Sequence, residues 1–413
     1  MKDFEMIELP NGIRLIHKQA RHTKVVHCGF VLDIGSRDEL PNEQGIAHFW
    51  EHMAFKGTEK RKAYHILSSL DAVGGELNAY TTKEKICFHA SVLNKYFDKA
   101  CDVLADITFS SVFPDKQIEK ERGVILEEMA LYRDTPEDAI QDEFDELIFP
   151  EHSLGRNILG SSESVRRFQR SDFEDFIRRN MSTGHLVFAS VGDMPAEKAF
   201  RLGKKYLDRQ LPMGAAKERS FDPSYQAVKR VVKKPDISQT HVAVGTRAYG
   251  LKHPDRLKLF MLTNLLGGPG MNSRLNLSLR EKYGLVYHVE ANYTPFTDTG
   301  IFALFFATEP SNKQKAIQIV LRELRQLREK PLGSMQLKRV KDQLIGQLAM
   351  AEENNLNILL VLAKSILDLG KVDSLDQVIE KVNSVTAEEL QRVAQEVFSE
   401  ERLSQLVYEP KEE

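Results

Sequence analysis

The chain has 413 residues, 42% hydrophobic and 28% charged, a composition suited to water-soluble cores and a length that calls for at least two of them. Its 57 basic and 60 acidic side chains leave a formal net charge of -3, without the positive field that nucleic acid or an acidic membrane surface requires. Three scattered cysteines, Cys28, Cys87 and Cys101, argue against a disulfide framework or a thiolate metal site. Asp3, Glu5 and Glu8 stand where a secretion signal needs apolar residues, and no run reaches the length of a membrane span, so a cytoplasmic location is expected.

The opening FEMIELPNGIRLIHKQ alternates apolar and polar residues around Asn11-Gly12, which predicts two strands joined by a tight turn. VVHCGFVLDIGS reads as a further strand. GIAHFWEHMAF then switches to helical spacing, and AYHILSSLDAVG forms a second helix ending at Gly74-Gly75. ELNAYTTKEKICFHASV predicts two extended segments, and helices follow from Lys95 to Arg133 and from Asp134 to Phe149. The capped helix, turn and strand of SDFEDFIRRNMSTGHLVFASVGD recur in TAEELQRVAQEVFSEERLSQLVYEP. The strand-then-helix opening recurs in THVAVGTRAYGLKHPDRLKLFMLTNLLGG. Two similar domains of α+β type are expected, each a mainly antiparallel β-sheet packed with α-helices. Residues 1–212 make the first, 213–224 a linker rich in Pro, Gly, Ala and charge, and 225–413 the second.

The chemistry concentrates in HFWEH. On a helix, His48 and His52 lie four positions apart and share a face, with Glu51 beside them. Two imidazoles can converge on one ion while the glutamate stays free to move a proton, the arrangement of the inverted H-x-x-E-H zinc signature. The plain alternative is an amphipathic helix with ordinary polar positions. A catalytic zinc needs a third protein ligand and an open position. The best candidate for it is in KERGVILEEMALYRD: at about 100° per residue, Glu121, Glu128 and Tyr132 fall in a narrow arc flanked by Ile118, Val124, Ile125 and Met129. Glu127 projects about 120° from Glu121, toward the polar side, so Glu128 is the better ligand of the adjacent pair. A structural salt bridge is the competing use of these buried acids.

HFWEH followed by Glu128, 76 positions beyond His52 (128 − 52), resembles the zinc site of the pitrilysin and insulysin peptidases. The size and two-domain layout resemble the mitochondrial processing peptidase branch. The resemblance implies one zinc per chain held by His48, His52 and Glu128, with Glu51 as general base of peptide-bond hydrolysis. Glu121 would join the catalytic set by supporting a ligand from behind. ELNAYTT resembles the family's substrate-pairing edge strand, which assigns Asn78 and Ala79 to contact with an extended peptide. In LLGGPGMNSRLNLSLREKYGLVYHVEA the glycines lack the Gly-Lys-Ser/Thr ending of a phosphate loop. The segment instead resembles the family's second-domain signature, in which Arg280 and Tyr287 would reach the substrate and its tetrahedral intermediate. Family members enclose substrate between two halves of a clamshell. One chain would supply one half, which implies a homodimer with the second domain of one subunit facing the zinc of the other. The alternative function is a non-catalytic or partner-dependent scaffold subunit of a heteromeric processing peptidase.

Overall fold

The computed structural model describes residues 4–210, 214, 219–221 and 224–411; most of the linker expected at 213–224 lies outside the described residues. In chain order, strands β1 (Glu5–Glu8), β2 (Arg14–Gln19) and β3 (Val25–Leu32) precede helices α1 (Ile46–Met53) and α2 (Ala63–Asp71). Strands β4 (Glu76–Thr81) and β5 (Ile86–Leu93) lead to helices α3 (Phe97–Phe109), α4 (Asp115–Asp134) and α5 (Pro136–Ile148). Helices α6 (Ser162–Arg167) and α7 (Arg170–Asn180), strand β6 (Leu186–Gly192) and helix α8 (Ala196–Leu207) follow. The second half carries β7 (Lys229–Lys234), β8 (Thr240–Ala248), α9 (Arg256–Gly267), a π-helical segment Asn276–Lys282, β9 (Val286–Pro295) and β10 (Gly300–Thr308). It closes with α10 (Lys313–Glu329), α11 (Ser334–Ala351), α12 (Asn355–Leu369), α13 (Leu375–Ser384), α14 (Ala387–Val397) and β11 (Ser404–Pro410).

The fold is α+β. One sheet has the order β1-β2-β6-β3-β5-β4 and the other β7-β11-β8-β10-β9. In each, one parallel pair, β2 with β6 or β7 with β11, adjoins otherwise antiparallel neighbours. The strand-by-strand correspondence gives the internal repeat a physical form. The turn at Asn11-Gly12 joins β1 to β2 antiparallel, with Gly12 at φ +88°, where a residue with a Cβ is strained. No helix among the described residues is long and apolar enough to cross a membrane.

The chain divides into two compact units that are discontinuous in sequence. The first comprises Met1–Ala130, Arg156–Glu218 and Met350–Ser374, and the second Leu131–Gly155, Arg219–Ala349 and Leu375–Glu413. Compared with the contiguous division at 212 and 225 read from the sequence, residues 131–155 and 350–374 each belong to the other unit. The reason is burial. Each sheet has a second apolar face that its own half leaves bare. In the first unit α12 covers that face, laying Leu359, Leu362, Ala363 and Ile366 on Ile16, Val31, Cys87 and Val187. In the second unit α5 does the same, placing Ile140, Phe144 and Ile148 against Ala243, Ala303 and Leu406. Each fully buried aliphatic or aromatic side chain contributes about 1.5–3 kcal/mol, so a helix presenting three or four of them is held to that sheet.

Candidate metal centre

Helix α1 owes its position to Ile46, Phe49, Trp50 and Met53, which recur at three- and four-residue spacing and are all fully buried. The Phe49 ring packs edge-on against Phe173 of α7 at 5.1 Å, and Trp50 lies between Phe88 of β5 and Phe176 of α7. Rings on two sides leave α1 little freedom to rotate. The opposite face carries His48, Glu51 and His52, whose direction is therefore set by the core beneath them. Helix α4 is anchored in the same way by Ile118, Ile125 and Met129. Glu121 is buried among them and Glu128 is half-buried on nearly the same bearing, while Glu127 is exposed.

His48, His52 and Glu128 form the one group of three His, Cys, Asp or Glu side chains, among the described residues, able to gather round a single ion. The Nε2 atoms of His48 and His52 stand 3.8 and 3.7 Å from the same Glu128 Oε2. Ligands about 2.0–2.2 Å from a tetrahedral zinc stand about 3.3–3.6 Å from one another, so small rotations of these side chains suffice to seat the ion. Burial pushes the His48 imidazole down to about 3, with the neighbouring His52 adding to the effect. His48 is thus neutral near pH 7, the form that binds metal. The donor set of two imidazoles and a carboxylate suits zinc.

Glu51 stands outside this group of three candidate ligands. Its Oε2 accepts a hydrogen bond from Thr81 Oγ1 of β4 at 2.6 Å. Burial raises its carboxyl above the usual range, against the opposing pull of the Thr81 hydroxyl and His52. A carboxylate made more basic by its surroundings is a better proton acceptor. Behind the ligands, His52 Nδ1 lies 3.3 Å from Glu121 Oε2, and Glu121 Oε1 lies 2.7 Å from Lys56 Nζ. A proton on Nδ1 donated to Glu121 leaves the Nε2 lone pair of His52 facing Glu128.

Lys56 and Thr81 escaped the sequence reading. Lys56 is four positions past His52 and could have been found by continuing the helical face beyond its end. Thr81 carried no signal, because only tertiary packing brings β4 to α1. Removing the Lys56 cation in Lys56→Met leaves Glu121 without its ion pair, and zinc binding measured by chelator competition is expected to weaken about tenfold, as for other outer ligand supports.

The remaining predicted residues fall elsewhere. Asn78 and Ala79 lie on β4, which among the described residues pairs only with β5 and stands at the edge of the first sheet. Arg280, in the π-helical segment, and Tyr287, at the start of β9, belong to the second unit. They meet each other, the guanidinium 5.6 Å from the centre of the tyrosine ring, and Tyr287 is 87% exposed.

Comparison with known proteins gives a consistent picture. Residues 14–162 match the family model described as insulinase, peptidase family M16, and residues 167–344 match the one described as the peptidase M16 inactive domain. The chain is 30% identical to an uncharacterized zinc protease, YmxG, of Bacillus subtilis over 95% of both proteins. It is 32% identical to an uncharacterized zinc protease of Streptomyces coelicolor, over 94% of this chain and 86% of that one. Among solved structures, a protease from Helicobacter pylori superposes with a TM-score of 0.91 at 21% identity, covering 99% of this chain and 100% of that one. A peptidase M16 inactive domain from Pseudomonas fluorescens also gives 0.91, at 18% identity and 99% coverage of both. At those identities the likeness establishes the fold.

Proposed function

The chain belongs to the insulinase family of peptidases, M16, and on that premise we propose that it is a zinc-dependent endopeptidase acting on unstructured peptides or small precursor segments. The observation that carries this reading is the convergence of His48, His52 and Glu128 on one point with Glu51 beside them and outside the ligand set. The inactive-domain match of the second half agrees with its lack of any H-x-x-E-H, which supports the reading of one site, in the first unit.

One zinc per chain, held by His48, His52 and Glu128, would supply Lewis acidity to the scissile carbonyl and to the attacking water. Glu51 takes the proton from that water on the carboxylate that Thr81 orients and passes it to the departing amine. Glu121 holds the Nδ1 proton of His52, and Lys56 holds Glu121. The free edge of β4 offers backbone donors and acceptors to an extended peptide beside Asn78 and Ala79, so recognition rests on main-chain pairing and folded proteins are excluded. Arg280 and Tyr287 supply cationic and phenolic donors to the developing oxyanion.

We assign that pair to the zinc site of a second copy of the chain, in a homodimer of the mitochondrial processing peptidase-like kind. Mixing a Glu51→Gln subunit with a Tyr287→Phe subunit is then expected to restore part of the activity that each lacks alone. Activity in the mixture no greater than the sum of the two variants would exclude the shared site. The three unpaired, buried cysteines suit a reducing, cytoplasmic setting. The whole reading is tested by metal analysis of the purified protein together with cleavage of an unstructured peptide library. Zinc-loaded wild-type protein that cuts no peptide on its own, but does so when a related chain is added, would favour the partner-dependent subunit instead.

A further inference from the structure

We propose that Glu39 is a positioning residue for the metal site, fixing His48 by clamping the first turn of α1. The inference rests on the zinc site proposed above and extends it to a residue outside the ligand set and its immediate supports.

A helix begins with backbone N–H groups that have no partner within it, and a side chain at the N-cap position ordinarily accepts from them. In α1 that position is Gly45, which has no side chain to offer. It cannot acquire one. Its φ is +93°, and a Cβ placed there would sit 2.4 Å from the Leu159 carbonyl oxygen and 2.9 Å from Gly160 Cα. The vacant capping role is filled from six residues upstream. Glu39 Oε2 accepts from the Gly45 N–H and Glu39 Oε1 from the Ala47 N–H, both at 2.9 Å, and the Glu43 carbonyl accepts from the Ile46 N–H. His48 is the next residue, still within the first helical turn.

The carboxylate is itself firmly held. Glu39 is 5% exposed, and its main-chain carbonyl accepts from Arg156 Nη1 at 3.3 Å. Burial raises its carboxyl above the usual range, and the two backbone N–H donors, satisfied together by the ionised carboxylate, oppose that rise. A buried carboxyl is costly unless hydrogen-bonded, and here both of its oxygens are satisfied by the backbone of one helix end. His48 gains most from it. Its Nδ1 is buried and has no hydrogen-bond partner among the described residues, whereas His52 is braced by Glu121. The backbone under His48 therefore does for that ligand what Glu121 does for His52.

Glu39→Gln is nearly isosteric, but either orientation of its amide sets an NH₂ group against one of the two backbone N–H donors. The expected result is a zinc affinity, by chelator competition, about 10- to 100-fold weaker than wild type, with kcat lowered and KM little changed. Glu84→Gln serves as the structural control. It removes the negative charge from the buried pair between Arg37 and Glu84, in which the guanidinium lies 2.6 Å from the carboxylate, and leaves both Glu39 hydrogen bonds to α1 with their donors and acceptors. That variant is expected to lower the melting temperature and keep wild-type zinc affinity. Should the glutamine variant fail to fold, Glu39→Asp, one methylene too short to reach both donors, is read in its place. Wild-type zinc affinity in the folded Glu39 variant, or a loss no larger than that of Glu84→Gln, overturns the proposal. Because zinc affinity is measured apart from hydrolysis, a weakened Glu39 variant alongside a wild type that binds zinc yet cuts nothing would uphold this inference and defeat the peptidase reading.

Discussion

Glu51→Gln is expected to slow peptide hydrolysis by a factor of about 10²–10⁴ while the protein keeps its full zinc content. The change is nearly isosteric, so the helix and its two histidines stay in place, and the amide oxygen can still accept from Thr81 Oγ1. What disappears is the ability to accept a proton from water. The proposed ligand atoms belong to His48, His52 and Glu128, so metal binding and turnover are expected to separate in this one variant. The check is kcat/KM on an unstructured peptide beside metal analysis of the same preparation. Equal rates with zinc bound in both proteins would remove Glu51 from the mechanism.

The second large effect distinguishes two neighbouring glutamates. Glu128→Ala is expected to weaken zinc binding by more than the roughly 10- to 100-fold typical of losing an outer support, and to abolish hydrolysis with it. Glu127→Ala is expected to leave both unchanged. The two residues differ only in bearing on α4: Glu128 Oε2 lies within 3.8 Å of both imidazoles, whereas the Glu127 side chain is exposed. Chelator competition on both variants decides the matter. A loss of zinc in Glu127→Ala equal to that in Glu128→Ala would mean that α4 presents a different face.

Much of this was legible because helical periodicity is a local property. The spacing of Ile46, Phe49, Trp50 and Met53 sets which side of α1 faces the core, so His48, Glu51 and His52 had to share the other side. The same arithmetic separated Glu128 from Glu127 and placed Glu121 in the stripe. The turn at Asn11-Gly12 and the repeated helix-turn-strand closings were likewise readable, since each depends on a few adjacent residues. Lys56 lay at the limit of that method, three residues beyond the last residue of α1.

Other features depend on which surfaces meet, and no local pattern encodes that. An amphipathic helix announces that it will cover something apolar but not what, so α5 and α12 read as members of their own halves, and only packing assigned each to the other unit's sheet. Thr81 reached Glu51, and Glu39 reached the start of α1, through contacts between segments whose spacing follows no periodic rule. What can be read from the order of residues is the candidate donor set, His48, His52 and Glu128 with Glu51 beside them, and the α+β repeat, because side-chain identity and bearing along a helix are written in order along the chain. How the candidate ligands are braced, what caps their helix and which sheet each exchanged helix completes follow from packing, because those depend on burial shared between residues distant in sequence.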